Sequence, residues 1–163
     1  MERAVKRLPK LLCKKLVENE RDILTSRNAF ESLRIVNYWF YDDTSSPDFI
    51  YLILNLYEQN LQEFFREKGE SMTESCARKM IRQVLEGMKA LHAREPRILH
   101  GDLKPTNILV DVKGNLLLCD FGIGRFFPKQ DATTCHTTNE SAGGSFGWVA
   151  PEGIVKIFEG LIY

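Results

Sequence analysis

His100-Gly101-Asp102-Leu103-Lys104-Pro105-Thr106-Asn107, followed by Asp120-Phe121-Gly122, is the stretch on which the reading of this chain turns. Asp102, Asn107 and Asp120 supply side-chain oxygens of the hard kind that suits Mg²⁺. Lys104 stands two residues past Asp102 on the same predicted loop, where its ammonium can meet phosphate. Phosphoryl transfer asks a protein for a carboxylate to orient the attacking hydroxyl, oxygen ligands for the metal and fixed positive charge against the phosphates. The stretch holds all three.

The surrounding sequence reads as a device that brings these residues together. Ile108-Leu109-Val110 and Leu116-Leu117-Leu118 flank Asp111-Val112-Lys113-Gly114-Asn115, a hairpin with a Gly-containing turn that returns Asp120 towards Asn107. Further on, residues 128–147 are rich in Thr, Ser, Gly and Asn and read as a mobile surface segment, long enough to carry a function. Upstream, Ala77, Met80, Ile81, Val84, Leu85, Met88 and Leu91 recur at helical spacing and predict a long helix with a core-facing stripe, opened by a capping box of Ser71 and Glu74. Leu61, Phe64 and Phe65 mark a shorter helix ending near Gly69.

Residues 3–56 read as strand, helix, strand, strand. The strands are placed at 3–8, 35–41 and 49–56, with a turn cluster at 42–47. The helix covers 11–26, with Leu12, Leu16, Ile23 and Leu24 among its apolar positions.

Bulk properties narrow the class. The 163 residues suit one compact domain or most of one, and 44% hydrophobic with 27% charged residues fits a globular protein with a core. Lys plus Arg and Asp plus Glu number 22 each, so net charge gives no reason to expect nucleic acid or a membrane surface as partner. The four cysteines form no C-x-x-C pair, which predicts neither a zinc site nor a disulfide framework and makes a reducing cytoplasmic setting the default. No apolar run reaches the roughly 18 residues of a membrane span.

His100-Gly101-Asp102 with Asn107, then Asp120-Phe121-Gly122, then Ala150-Pro151-Glu152, in that order, resemble the catalytic loop, the D-F-G and the A-P-E of the protein kinases. The resemblance implies an α+β, incomplete bilobal protein-kinase-like fold: a partial N-lobe of sheet plus helix with the hinge strand at 1–56, and the first half of a mainly helical C-lobe, through the activation segment, at 57–163. It implies an ATP-dependent, Mg²⁺-requiring serine/threonine protein kinase, with Asp102 as catalytic base and Asn107 and Asp120 as metal ligands. Lys104, inside D-L-K-P-x-N, implies Ser/Thr rather than Tyr specificity. Ser145 falls where such kinases place a hydroxyl against the catalytic loop.

Ala4-Val5-Lys6 is similar to the family's lysine-bearing strand, and Glu20 to its helix glutamate, with Glu18 a nearby rival. Taken alone, Lys6 reads equally as a solvated surface lysine. By the same resemblance Leu54 is the gatekeeper, Asn55 and Tyr57 offer backbone groups to adenine, and Ala4 and Leu109 sandwich the base. Thr133, Thr134, Thr137, Thr138 and Ser141 are candidate phosphosites in the activation segment, and equally an ordinary solvated loop.

Leu56-Tyr57-Glu58-Gln59-Asn60-Leu61-Gln62-Glu63 and Gly147-Trp148-Val149-Ala150-Pro151-Glu152 are similar to the inositol-requiring stress-sensor kinase/endoribonucleases of the endoplasmic reticulum, which serve the unfolded protein response. That resemblance implies kinase–kinase dimerisation and a parent exposed to the cytosol from that membrane, but no ribonuclease activity in these residues. Two departures stand out. Gly101 replaces the usual Arg, and no glycine-rich loop precedes Lys6. With the chain's extent, these predict a fragment weak or inactive in isolation. Two other readings stay open: a pseudokinase-like interaction fragment, and a small-molecule phosphotransferase of the aminoglycoside or choline kinase type, in which H-G-D is common.

Overall fold

A computed structural model describes residues 2–127, 144–149 and 151. The first part is a three-stranded antiparallel sheet backed by a helix. β1 (Arg3–Pro9) runs into α1 (Lys10–Thr25), then a single-turn α2 (Arg27–Phe30), then β2 (Tyr38–Asp42) and β3 (Phe49–Asn55). β3 lies in the middle, in the order β1-β3-β2. Strand alternation puts Ala4, Lys6 and Leu8 on one face, opposite Leu54, Leu52 and Ile50 in register, and leaves Val5 and Arg7 exposed.

α1 packs its inner stripe on that face, burying Val17, Glu20, Ile23 and Leu24. Lys10 fastens the start of α1 to the β2–β3 turn through the carbonyls of Asp43 and Ser46, the latter at 2.8 Å.

The second part is helical with short strands. β4 (Gln59–Asn60) leads into α3 (Leu61–Lys68); α4 (Glu74–His92) follows, then β5 (Arg97–Leu99), β6 (Ile108–Val110), β7 (Leu116–Leu118) and β8 (Arg125–Phe127). β4, β6 and β7 form one small sheet, and β5 pairs with β8. α4 lies against β7. The β6–β7 turn closes as predicted, with Asp111 N–H donating to Asn115 O and Gly114 supplying the left-handed backbone at φ 79°.

The two parts are joined where residues 34–36 run beside β7. Val36 N–H donates to Leu118 O at 3.0 Å, and Leu118 N–H to Arg34 O at 2.8 Å. One core therefore runs through both, with Ile23, Ile50, Leu52, Leu91, Ile98 and Phe121 fully buried. Each such side chain contributes about 1.5–3 kcal/mol by leaving water.

Three expectations are corrected. The strand predicted from Ile35 starts only at Tyr38, because residues 35–36 bond instead to β7, with Ile35 bridging Leu118. The cap of α4 is Thr73, whose hydroxyl accepts from Cys76 N–H; Ser71 lies in a 3-10 turn and donates to Lys68 O. A capping box does exist, but at α3, where Asn60 and Glu63 exchange bonds at 3.0 Å. The apolar stripes are narrower than periodicity implied: on α4, Ile81 and Leu85 are about 60% exposed, and on α1 Leu12 is 78% exposed and Leu16 exposed. Periodicity records which residues share a face, and only packing decides how much of that face is covered. Among the described residues no helix is long and apolar enough to cross a membrane.

Candidate active site

Lys6 is half-buried between the sheet and α1, and its ammonium meets Glu20 at 2.7 Å and Asp120 at 2.8 Å. The β1 alternation aims Lys6 at the helix, and the α1 stripe aims Glu20 back at it. Glu18, the rival, lies with Lys14 at 3.8 Å instead. Burial works against the Lys6 charge, but the two carboxylates outweigh it and hold the ammonium above its ordinary pKa. Burial also pushes the Glu20 carboxyl up, partly offset by Lys6.

Asp120 sits at φ 63°, a left-handed conformation that non-glycine residues seldom adopt. Such strain persists only where surroundings over-determine it. Here the following Phe121 is wholly buried and stacks on buried His100, with ring centroids 4.7 Å apart, which anchors the segment that presents Asp120. Burial holds the His100 imidazole below its usual pKa, so it is neutral at pH 7 and serves as packing.

The residues of the 100–107 loop converge from a few positions. Asn107 is buried and its amide nitrogen donates to both the backbone oxygen and Oδ2 of Asp102, each at 2.9 Å, which leaves its amide oxygen for another partner. Lys104 meets the same Oδ2 at 2.7 Å and donates to the Ser145 hydroxyl. Burial alone would raise Asp102, but Lys104, Ser145 and Asn107 prevail and keep it below the usual carboxylate range. Its other oxygen, Oδ1, is buried without a hydrogen-bond partner.

Gly101 has a physical explanation. Its φ is +82°, and a Cβ there would stand 2.6 Å from the Ile123 carbonyl. Glycine satisfies both constraints where a side chain would force a shift.

Lys6, Glu20, Asp102 and Asp120 line one open cavity of about 260 Å³, together with Leu8, Leu16, Val17, Gly122 and Ile123. A second cavity, of about 340 Å³, is lined by Asn55, Tyr57, Val110 and Asp111. The Asn55 N–H already donates to Asn37 O at 3.2 Å, so it is not available to a base. Ala4 and Leu54 face one another in the sheet, and Leu109, half-buried, lies on β6. Thr133, Thr134, Thr137, Thr138 and Ser141 lie outside the described residues, as do Ala150 and Glu152. Burial and the nearby carboxylates raise the Cys119 thiol to about 12, so it is a poor nucleophile at neutral pH.

Two asparagines escaped the sequence reading. Asn28 is buried and donates to the carbonyls of Leu91, Arg94 and Pro96, tying α2 to the chain that feeds the 100–107 loop. Asn19, next to Glu20, donates into the Asp120-Phe121-Gly122 segment. The available signal was propensity: asparagine is a weak helix former, and one inside an amphipathic helix calls for a partner.

Residues 2–159 match the family model "Protein kinase domain". The serine/threonine-protein kinase sck2 of Schizosaccharomyces pombe is 34% identical over 83% of this chain and 20% of its own length. The mitogen-activated protein kinase kinase kinase 5 of Arabidopsis thaliana is 31% identical over 86% of this chain and 18% of its own length. A probable serine/threonine-protein kinase, the MRK1 homolog of Encephalitozoon cuniculi, is 39% identical over 55% of this chain and 27% of its own length. The matched stretch thus spans between 18% and 27% of the length of these relatives. With an extended match of this kind and the α+β sheet-and-helix arrangement around the cavity, the chain belongs to the protein kinase family, among its serine/threonine members.

Proposed function

We propose that this chain transfers the γ-phosphate of ATP to a serine or threonine hydroxyl of a protein. The observation that carries the reading is that residues 6, 20, 102 and 120, remote in sequence, line one cavity with Lys6 held between two carboxylates. In this reading Lys6, pinned by Glu20, steadies the α/β-phosphates. Asp102 orients the acceptor hydroxyl through its carboxylate, which lines the cavity, and Lys104 sets fixed charge beside it.

The donor set fits Mg²⁺. Asp120 is half-exposed to the cavity and the Asn107 amide oxygen is unspent, both hard oxygens, whereas no group of three His, Cys, Asp or Glu residues that could hold a metal is found among the described residues. Asp120 and Asn107 would hold the ion, and when bound Mg²⁺ would supply positive charge against the phosphates.

The Lys104–Ser145 bond favours a protein acceptor over a small-molecule one, because it ties the loop to the segment leading to Ala150-Pro151-Glu152. Adenine is proposed to lie by Leu54, Tyr57, Ala4 and Leu109. The finer placement beside the endoplasmic-reticulum stress sensors rests on the two sequence phrases. It brings with it kinase–kinase pairing and a cytosolic setting, and sedimentation of the chain as a monomer at tens of micromolar would count against that placement.

The test is thermal unfolding with ATP and Mg²⁺, then phosphate transfer to a Ser/Thr peptide panel against aminoglycoside and choline. Nucleotide at about 100 times its dissociation constant should stabilise the chain by about 2.7 kcal/mol. No shift at millimolar ATP with Mg²⁺ would overturn the reading; a shift without transfer would favour a binding module, and transfer to the small molecules alone would favour the phosphotransferases.

A further inference from the structure

Asn19 is the most heavily engaged side chain near the cavity that the scheme above leaves idle. Its amide nitrogen reaches the carbonyl oxygens of Gly124 at 2.8 Å, Gly122 at 3.0 Å and Phe121 at 3.2 Å. Three carbonyls converging on one atom admit only a donor, so the acceptors themselves settle which way the amide faces. Two N–H groups serve three oxygens, so at least one bond is shared.

All three partners belong to the turn directly after Asp120. That turn is tight: Gly124 N–H donates to Phe121 O at 2.9 Å, and a Cβ on Gly124 would stand 2.7 Å from Ile23 of α1. The turn is therefore pressed on α1 by close packing and gripped there by one amide.

We infer that Asn19 is a positioning residue, whose amide clasps the 121–124 turn to α1 and so keeps Asp120 where Lys6 meets it. The inference rests on the phosphoryl-transfer reading. Residues 19 and 20 are consecutive on one helix and hold Asp120 by separate routes. Glu20 holds the carboxylate through Lys6, while Asn19 holds the backbone. The routes close a ring of Glu20, Lys6, Asp120, Phe121 and Asn19. A helix displaced from this place breaks both, which makes helix position and Asp120 orientation a single variable. Because the clasp reads only main-chain oxygens, it requires a donor: aspartate, of the same shape, would face three carbonyls with none to offer.

The experiment compares the 163-residue chain with Asn19→Leu, Asn19→Asp and Asn19→Gln. Backbone hydrogen exchange at residues 121–125, without nucleotide, reads the clasp, with α4 as internal reference. ATP affinity, with Mg²⁺ and with the metal chelated, reads its consequence. Leu and Asp should speed exchange in the turn roughly five- to tenfold, as expected for losing about one net hydrogen bond, with α4 unchanged and Gln restoring part of the protection. The same two variants should weaken ATP binding several-fold with Mg²⁺ and less with the metal chelated, because Asp120 acts on the nucleotide chiefly through the ion.

Unchanged exchange in the turn for both variants overturns the clasp, whatever ATP does. Exchange that rises equally in the turn and α4 also overturns it, since Asn19 would then serve the fold at large. Faster exchange with unaltered Mg²⁺-dependent binding overturns the positioning role. If the unmodified chain binds no ATP with Mg²⁺ while the exchange differences hold, the kinase reading falls and the clasp stands.

Discussion

The two halves of the candidate site are assembled on different length scales. In the loop at 100–107, Asp102 meets Lys104 two residues away and Asn107 five residues away. In the clamp, Lys6 meets Glu20 fourteen residues away and Asp120 at a separation of 114. The carboxylate contacts of the loop come chiefly from one short stretch that includes a 3-10 turn at Pro105–Asn107, although Phe121, Ile123 and Ser145 pack or bond to it from outside. The clamp exists only when β1, α1 and the hairpin that carries Asp120 are packed on one core. Burial is the largest influence on both acids and raises each; at Glu20 it prevails over Lys6, whereas at Asp102 the combined pull of Lys104, Ser145 and Asn107 outweighs it. A site built locally resists perturbation of distant packing, and one built by tertiary contact registers it.

The sharpest way to test that contrast is at Asp102. Asp102→Asn removes the proposed base and keeps the shape and the Asn107 neighbour. Peptide phosphorylation is expected to fall by about 10²–10⁴, with ATP affinity little altered and Tm modestly lowered by loss of the Lys104 pair, as single-turnover assays and thermal scans would show. A variant that lost ATP binding as well would mean that loop and clamp are not separable.

The next test sets the two halves against each other by pH. Glu20, raised, takes its proton at higher pH than Asp102, lowered. As pH falls from neutral the clamp should therefore loosen first, and ATP affinity should drop before the loop is titrated. Glu20→Gln should mimic that state, binding ATP ten- to a hundredfold more weakly, the worth of a charge-assisted bond of about 1.5–3 kcal/mol, and losing its pH dependence in that window. The stability signs are opposite. A raised acid binds its proton more tightly folded than unfolded, so Glu20 costs stability at neutral pH and that cost is relieved as pH falls through its folded value. The lowered Asp102 contributes stability above the ordinary carboxylate range, which is lost as pH falls through its depressed value. Coincident loss of both functions at one pH would refute the ordering.

The smallest expected effect is at Ile81 on the exposed half of α4, set against a large one at Leu91 on the buried half. Leu91, fully buried, should cost about 2–5 kcal/mol as Leu91→Ala. Ile81→Lys, on the exposed half of the same helix, should stay within about 0.5 kcal/mol in the 163-residue chain. Denaturant midpoints for the two decide whether the apolar stripe is one face or two.

Sequence by itself determined what depends on neighbours in the chain. The hairpin around Gly114, the strand that carries Lys6, the two helices at 61–68 and 74–92, and the grouping of Asp102, Lys104 and Asn107 are all consequences of short-range period and turn chemistry. Tertiary structure decided the rest, because it arises from which surfaces meet. Packing on β7 drew residues 35–36 out of the predicted strand, half of the α4 stripe stayed uncovered, and Glu20 rather than Glu18 was turned inward by the phase of a helix lying on a particular sheet. A carbonyl has no letter in a sequence, so partners such as those of Asn19 and Asn28, which are backbone oxygens of remote turns, become visible only once the chain has folded around them.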